Sequence, residues 1–525
     1  MVKPGRRPLR RLPRLAPVAA AVMLASPACH ADWRFQPGVS VVGTYSDNIG
    51  LQSDALAETQ FITEVAPTFN LAVRSRRLNA TASGEFRQFI YRDENERPRP
   101  DTSRRYNAGL QGVVLDDLLM VDASASSSQQ NISAFGPQVE SNPYSLENRT
   151  QVRTWTLSPY LVQRFGRQAN AMLRFTRSAV HSDRRSQFGN STADTVALNL
   201  SSGPAYGNFG WSFIYLQQDE VNSLRGSSEV ESAAANLRYR LDPTFSLTAN
   251  LGYDRYDYGG LGGSTGGRNW STGFIWTPSQ RTSVVASAGR HFYGNTGSLA
   301  ANVRSRRSVW SINYADTITT SHSQFTLPAA IDTASLLDRL FTTMFPDPVQ
   351  RQLAVAAYML ETGLPPSLAD NINYLSNRYM RQKLLQASSA FSGARSAVVL
   401  SLNASERNAL SSQESDSALL GGQLARLNDN VRQRGANALW SYRLNPRAGL
   451  VASASYSHRE SLGLLSGEGR GIETVQRELR FGMNRKLGRN VVAVVDLRRR
   501  SGILGTSGTR DYTEHAVSAT LSMKL

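Results

Sequence analysis

Apolar and polar residues alternate one by one along most of the chain. From Leu78, "LNATASGEFRQFIY" puts Leu78, Ala80, Ala82, Gly84 and Phe86 on one face and Asn79, Thr81, Ser83, Glu85 and Arg87 on the other. A period of two is the signature of a strand with unlike faces. The alternation returns in residues 105–115, 119–129, 170–177, 233–241, 245–256, 435–444 and 514–525. These runs are about ten residues long, roughly twice the usual strand of a soluble protein. A tilted strand crossing an outer membrane needs that length, with small or apolar groups toward lipid and polar groups toward a lumen. A soluble sandwich would show shorter strands and more large aliphatic side chains.

The connections follow a second rule. Short turns at 74–77, 116–117, 165–167, 242–243, 278–280, 392–394, 445–446 and 488–489 alternate with long polar loops at 92–103, 132–148, 258–267, 409–430 and 501–510. Short periplasmic turns and long extracellular loops alternate in this way in membrane barrels. Counting from Trp33 to Leu525 gives about 22 strands, and an even number puts both termini on the periplasmic side. The pattern therefore predicts an all-β fold, a large antiparallel transmembrane β-barrel with one helical insertion. Tyr239, Phe245, Trp276, Trp440 and Tyr442 stand within a few residues of short turns, where an aromatic girdle would meet the membrane interface.

The insertion, residues 321–376, breaks the alternation. Leu336/Leu337, Leu340/Phe341 and Met344/Phe345 recur at helical spacing behind a cap at Thr333. Asp347 and Pro348 open a second helix that stops at Gly363, and a third follows Pro366. Turn parity places the insertion outside, after the fifteenth strand, as a plug, a cap or a docking arm.

Composition and charge add a destination. Residues 1–31 read as a cleaved signal peptide, with Lys3, Arg6, Arg7, Arg10, Arg11 and Arg14 ahead of "LAPVAAAVMLA", which leaves 32–525 as the barrel. The single cysteine, Cys29, leaves with the signal, since "SPAC" departs from a lipoprotein acceptor site; the mature chain forms no disulfide. Losing six cations lowers the formal charge from +17 to +11. That balance suits anionic partners such as lipopolysaccharide phosphate or an acidic polysaccharide, and export argues against nucleic acid. No later run of 18 apolar residues offers a membrane helix.

Candidate chemistry is thin. His181, His291, His322, His458 and His515 read as isolated loop or rim residues without metal-ligand spacing. His291 or His515 beside a serine would be the least supported reading, an outer-membrane hydrolase. No catalytic residue, metal or cofactor is expected. "GGLGGSTGG" (259–267) lacks the lysine of a phosphate loop. "RRRSG" (498–502) and "RSRRS" (304–308) read as rim charge or, for the first, as a phosphate contact to lipopolysaccharide. Asp47 and Asn48 in "GTYSDNIGLQ" are turn formers rather than a calcium loop, because Ile49 and Leu51 occupy ligand positions. Period two turns Arg87, Arg174, Arg238, Arg240, Arg480 and Arg498 toward the lumen, together with Glu85, Asp254, Glu478 and Asp496. Some of these arginines pair, and the excess would favour anionic solutes.

Several stretches together resemble one family. "WRFQPGVSVVGTYSDNIGL" at the mature start, "WTPSQRT" (276–282), "RHFYGNT" (290–296), "SRRSVWSINYADTITT" (305–320), "LLDRLFTTMFPDP" (336–348) and "GARSAVVLSLN" (393–403) resemble the PEP-CTERM system-associated outer-membrane proteins, β-barrels found with exosortase and exopolysaccharide loci. The resemblance implies outer-membrane placement and a link to exopolysaccharide or its export machinery, as conduit or scaffold; a structural or adhesive barrel is the alternative. It supplies no catalytic residues. Leu525 departs from the aromatic end that the barrel assembly machinery usually reads, while Val517, Ala519, Leu521 and Met523 keep the alternation before it.

Overall fold

A computed structural model describes residues 32–92, 100–136, 138, 143–144, 148–183, 189–223, 226–257, 264–326, 337–338, 351, 355, 379–410, 430–462, 472–505 and 509–525. Among these, 22 strands form one antiparallel sheet that closes on itself. The first seven are β1 (Asp32–Ser46), β2 (Gln60–Arg74), β3 (Leu78–Tyr91), β4 (Thr102–Leu115), β5 (Leu119–Asn131), β6 (Arg149–Phe165) and β7 (Ala169–Ser182). There follow β8 (Ser191–Ser202), β9 (Phe209–Asn222), β10 (Gly226–Arg240), β11 (Phe245–Asp257), β12 (Ser264–Ser279), β13 (Thr282–His291), β14 (Gly294–Arg304) and β15 (Ser308–Thr319). After the short helix α1 (Ser321–Thr326) come β16 (Met380–Ser392), β17 (Ser396–Ala409), β18 (Asn430–Asn445), β19 (Ala448–Ser461), β20 (Glu473–Lys486), β21 (Val491–Gly505) and β22 (Thr509–Lys524). Each strand pairs with its neighbours in sequence, and β1 pairs with β22 from Gly38 opposite Lys524 to Ser46 opposite Ala516. Closure leaves no edge strand, so every strand is hydrogen-bonded to a neighbour on each side.

The distribution of side chains is inverted relative to a soluble protein. The two largest fully buried side chains are Arg407 and Arg459, whereas Leu247, Leu251 and Tyr253 of β11 are exposed. Along β20, exposed Leu479, Phe481 and Met483 alternate with Glu478, Arg480 and Gly482. An apolar outer face of this extent is stable only against lipid. The barrel therefore spans a membrane, with its polar groups inside.

One end of the barrel carries the short connections, such as 75–77, 280–281 and 446–447, and is here the turn end. The loop end carries the longer ones and the 320–379 connection, but three of its links, 223–225, 292–293 and 506–508, are as short as turns. Two expected loops shrink for the same reason. β21 and β22 run through most of 501–510, and β12 already begins at Ser264, because inter-strand hydrogen bonding continues beyond the alternating pattern. Thr333, Gly363, the Asp347–Pro348 start and the stretch after Pro366 lie outside the described residues; Leu337, Asp338, Arg351 and Val355 are helical.

Candidate functional site

The six arginines assigned to the lumen all stand on the face opposite the exposed apolar side chains, and the register decides what each meets. β21 lies between β20 and β22, so Arg500 faces Glu478 on one side and Glu514 on the other. Arg500 is ion-paired to Glu478 and, at 3.4 Å, to Glu514, which also accepts from Arg498 at 2.9 Å and from the Ser46 hydroxyl at 2.8 Å. Arg480 meets Asp496 at 2.8 Å. On β7, Arg174 pairs with Asp122 at 2.9 Å and lies 4.1 Å over the Tyr160 ring. Arg87 pairs with Glu85 at 3.0 Å. Arg238 and Arg240 have no ion-pair partner among the described residues and stand near the turn end of β10.

A different sector of the inner wall carries hydroxyls. Ser124 with Thr156, Ser126 with Thr154 and Ser158 with Thr176 stand 2.6, 2.6 and 2.8 Å apart across β5, β6 and β7. These pairs satisfy one another, yet each oxygen keeps capacity to exchange with water or a polar solute.

Segments from the loop end bridge this lumen. α1 follows β15, but its His322 ring sits between Ser178 of β7 at 2.8 Å and Ser191 of β8 at 2.7 Å, eight strands away in sheet order. Thus α1 lies inside, against the inner wall. Ala134 and Phe135, between β5 and β6, pack on Val431 of β18. Tyr379, just before β16, donates to Ser228 of β10 at 2.8 Å and meets the Tyr256 ring at 6.3 Å. Tyr256 continues into Phe292, Tyr293 and His291, with ring centroids 5.6, 5.2 and 5.1 Å apart. Tyr144, in the β5–β6 connection, donates to Glu64; burial first, then the Glu64 charge, push its phenol above the usual tyrosine range. Sequence reasoning missed this cluster because its members are far apart in the chain and come together only across the lumen.

Four of the five histidines, His291, His322, His458 and His515, have side-chain partners. Besides His322, His291 Nδ1 lies 3.1 Å from Asp254, which also accepts from Ser232 and Asn269. His458 meets Glu473 at 2.9 Å, and His515 meets Asp47 at 3.0 Å. For these four the expectation of isolated residues fails, because other strands and the closing seam supply acids or, for His322, serines. No serine hydroxyl bonds either the His291 or the His515 ring among the described residues. No group of three His, Cys, Asp or Glu able to hold a metal occurs there either.

Asp47 and Asn48 tie the closing seam. Asn48 accepts from the Gln52 amide at 2.9 Å and donates to the Gln52 and Thr513 carbonyls, while Asp47 accepts from the His515 amide at 2.7 Å. Asn48 is thus partly the local turn former expected, but Asp47 reaches β22. "RRRSG" is not one rim cluster: the pleat turns Arg498 and Arg500 inward and leaves only Arg499 outward. Among the aromatics, Tyr239, Trp276 and Trp440 are exposed on the outer face. Phe245 opposes Trp276, and Trp440 stacks on Tyr442 at 5.8 Å, all near the turn end.

No family model and no curated protein matches the sequence. Among solved structures, the FrpB iron transporter from Neisseria meningitidis (F5-1 variant) superposes with a TM-score of 0.50 at 11% identity, covering 97% of this chain and 84% of that one. The siderophore receptor PirA from Acinetobacter baumannii gives 0.46 at 9% identity, covering 94% and 80%. The class is thereby defined as a 22-stranded outer-membrane β-barrel of the architecture seen in transporter barrels. At this identity the likeness concerns the fold alone.

Proposed function

We propose that the barrel serves exopolysaccharide production as a conduit or scaffold for glycan export, with its loop end outside and both termini in the periplasm. The observation that carries this reading is the polar inner wall, with hydroxyl pairs on β5–β7 and ion-paired arginines on β20–β22. A hydrated glycan exchanges hydrogen bonds with such a wall without being held tightly. The aromatic faces of Tyr256, Phe292 and Tyr293 at the mouth offer stacking surfaces to sugar rings. Arg238 and Arg240 give the passage a cationic contribution suited to acidic residues of the polymer. The resemblance to exosortase-associated barrels points to the same class of cargo.

The segment between β15 and β16 is the gate in this scheme, since α1 already crosses to β7 and β8. Deleting residues 325–375 is expected to raise single-channel conductance in planar bilayers, and an acidic oligosaccharide should then reduce the current reversibly. Unchanged conductance removes the gate. A barrel that conducts nothing even after the deletion is a structural or adhesive barrel, not a conduit.

A further inference from the structure

The outer face near the loop end is not uniform around the barrel. From β15 to β20 it carries a row of self-satisfied ion pairs: Asp316 with Arg381 at 2.6 Å, Lys383 and Arg432 with Glu406 at 3.6 and 3.5 Å, Arg432 with Glu460 at 2.9 Å and His458 with Glu473. Nearer the membrane centre, Arg434, Arg477 and Arg499 stand on the same outward face. The register opposes Arg477 to Tyr456 and to Ser501, and Arg499 to Leu479 and to His515. None of these three arginines has an ion-pair partner among the described residues. A row of cations at the edge of an apolar band is stable when the surroundings supply the anion.

Directly beneath them the wall is dented. Ala438 opposes Ala454, and Ala452 lies between Trp440 and Phe481 across β18, β19 and β20. Small side chains flanked by Trp440, Leu479 and Phe481 leave a groove of about 750 Å³ with Arg499 and His515 among its lining residues. A second hollow of about 330 Å³ lies between Tyr456, Arg477, Arg499 and Ser501. Apolar trough and cationic head hollow share Leu479 and Arg499, so they form one continuous amphipathic feature.

We propose that this feature is a binding site for the phosphorylated glycolipid of the outer leaflet, with one acyl chain in the alanine-floored groove and a phosphate between Arg477 and Arg499. Guanidinium groups match phosphate geometry and remain charged at an interface. The assignment to the outer-leaflet lipid rests on the orientation proposed above, with the loop end outside: the arginines lie toward that end, while the aromatic girdle of Trp440 and Tyr442 lies at the other end of the groove. The site is independent of what passes through the lumen.

The test uses the full chain folded in detergent, titrated with diphosphoryl lipid A, with its dephosphorylated form and with phosphatidylglycerol, and read by native mass spectrometry. Wild type should prefer diphosphoryl lipid A to both others, and Arg477→Gln combined with Arg499→Gln should weaken that binding about tenfold or more. Ala454→Trp, which fills the groove without changing charge, should weaken it as well. Arg432→Gln, in the self-paired row, should leave it unchanged. Heat-modifiable gel migration confirms that each variant is folded. Equal binding by the double variant or by Ala454→Trp overturns the site, as does equal affinity of wild type for the dephosphorylated lipid. Equal affinity for phosphatidylglycerol overturns the glycolipid assignment, and a loss in Arg432→Gln overturns the role of the unpaired arginines.

Discussion

The inner ion pairs of β20–β22 and the outer ion pairs of β16–β19 use the same residue types at similar distances, but their surroundings differ. Arg500 and Glu514 expose 6% and 1% of their side chains, whereas Arg432 and Glu460 expose 36% and 35%. Inside, the charges have been taken from water, and each partner is the other's replacement for solvent. Outside, water and salt screen the pair, so forming it changes little. The inner network therefore fixes the wall, while the outer row mainly keeps the rim polar and prevents its arginines from seeking other anions.

Arg500→Leu should break this comparison most severely, because Glu478 and Glu514 would lose their shared guanidinium while remaining in the wall. A loss of about 3–5 kcal/mol is expected, measured by urea unfolding in lipid vesicles; a loss equal to that of an outer-row variant would erase the distinction. Tyr144→Phe sharpens it with a neutral donor, since Glu64 loses its phenol partner at a cost of about 1–3 kcal/mol. Its pH dependence has a definite sign. The folded state holds the phenolic proton above the ordinary value of about 10, so this stabilisation is complete below that pH and declines as pH rises beyond it. Alkaline unfolding of wild type should accordingly steepen relative to Tyr144→Phe. Arg432→Gln should have the smallest effect, under about 1 kcal/mol, and should weaken further with added salt.

How far the sequence could be followed depended on the range of the interaction. Strand identity was legible in "LNATASGEFRQFIY" because side-chain direction alternates within the strand itself. The side of its strand on which each of the arginines assigned to the lumen stands, opposite the exposed apolar residues, follows from the same alternation. The partners of Arg498 and Arg500 were not legible, because Glu514 is reached only through the β21–β22 register, which depends on the turn between the strands as well as on the alternation along each. The histidines were misread on the same ground: Asp254, Glu473 and Asp47 are neighbours across strands or across the seam. The loop at 501–510 was overestimated because Gly, Thr and Ser are common turn residues, yet here they pair as strand.

The sequence by itself determined an all-β chain of long two-faced strands, their number, and an apolar exterior around a polar interior. These follow from local alternation and from the spacing of turn residues. Only the tertiary structure decided which arginines are neutralised, that α1 leaves β15 to rest on β7 and β8, and that three alanines on two neighbouring strands line up into an outward groove beneath unpaired arginines. Those features depend on which segments the strand register and the closed sheet bring together, Arg500 with Glu514 on the adjacent strand or His322 with Ser178 of β7, and no local period can carry that.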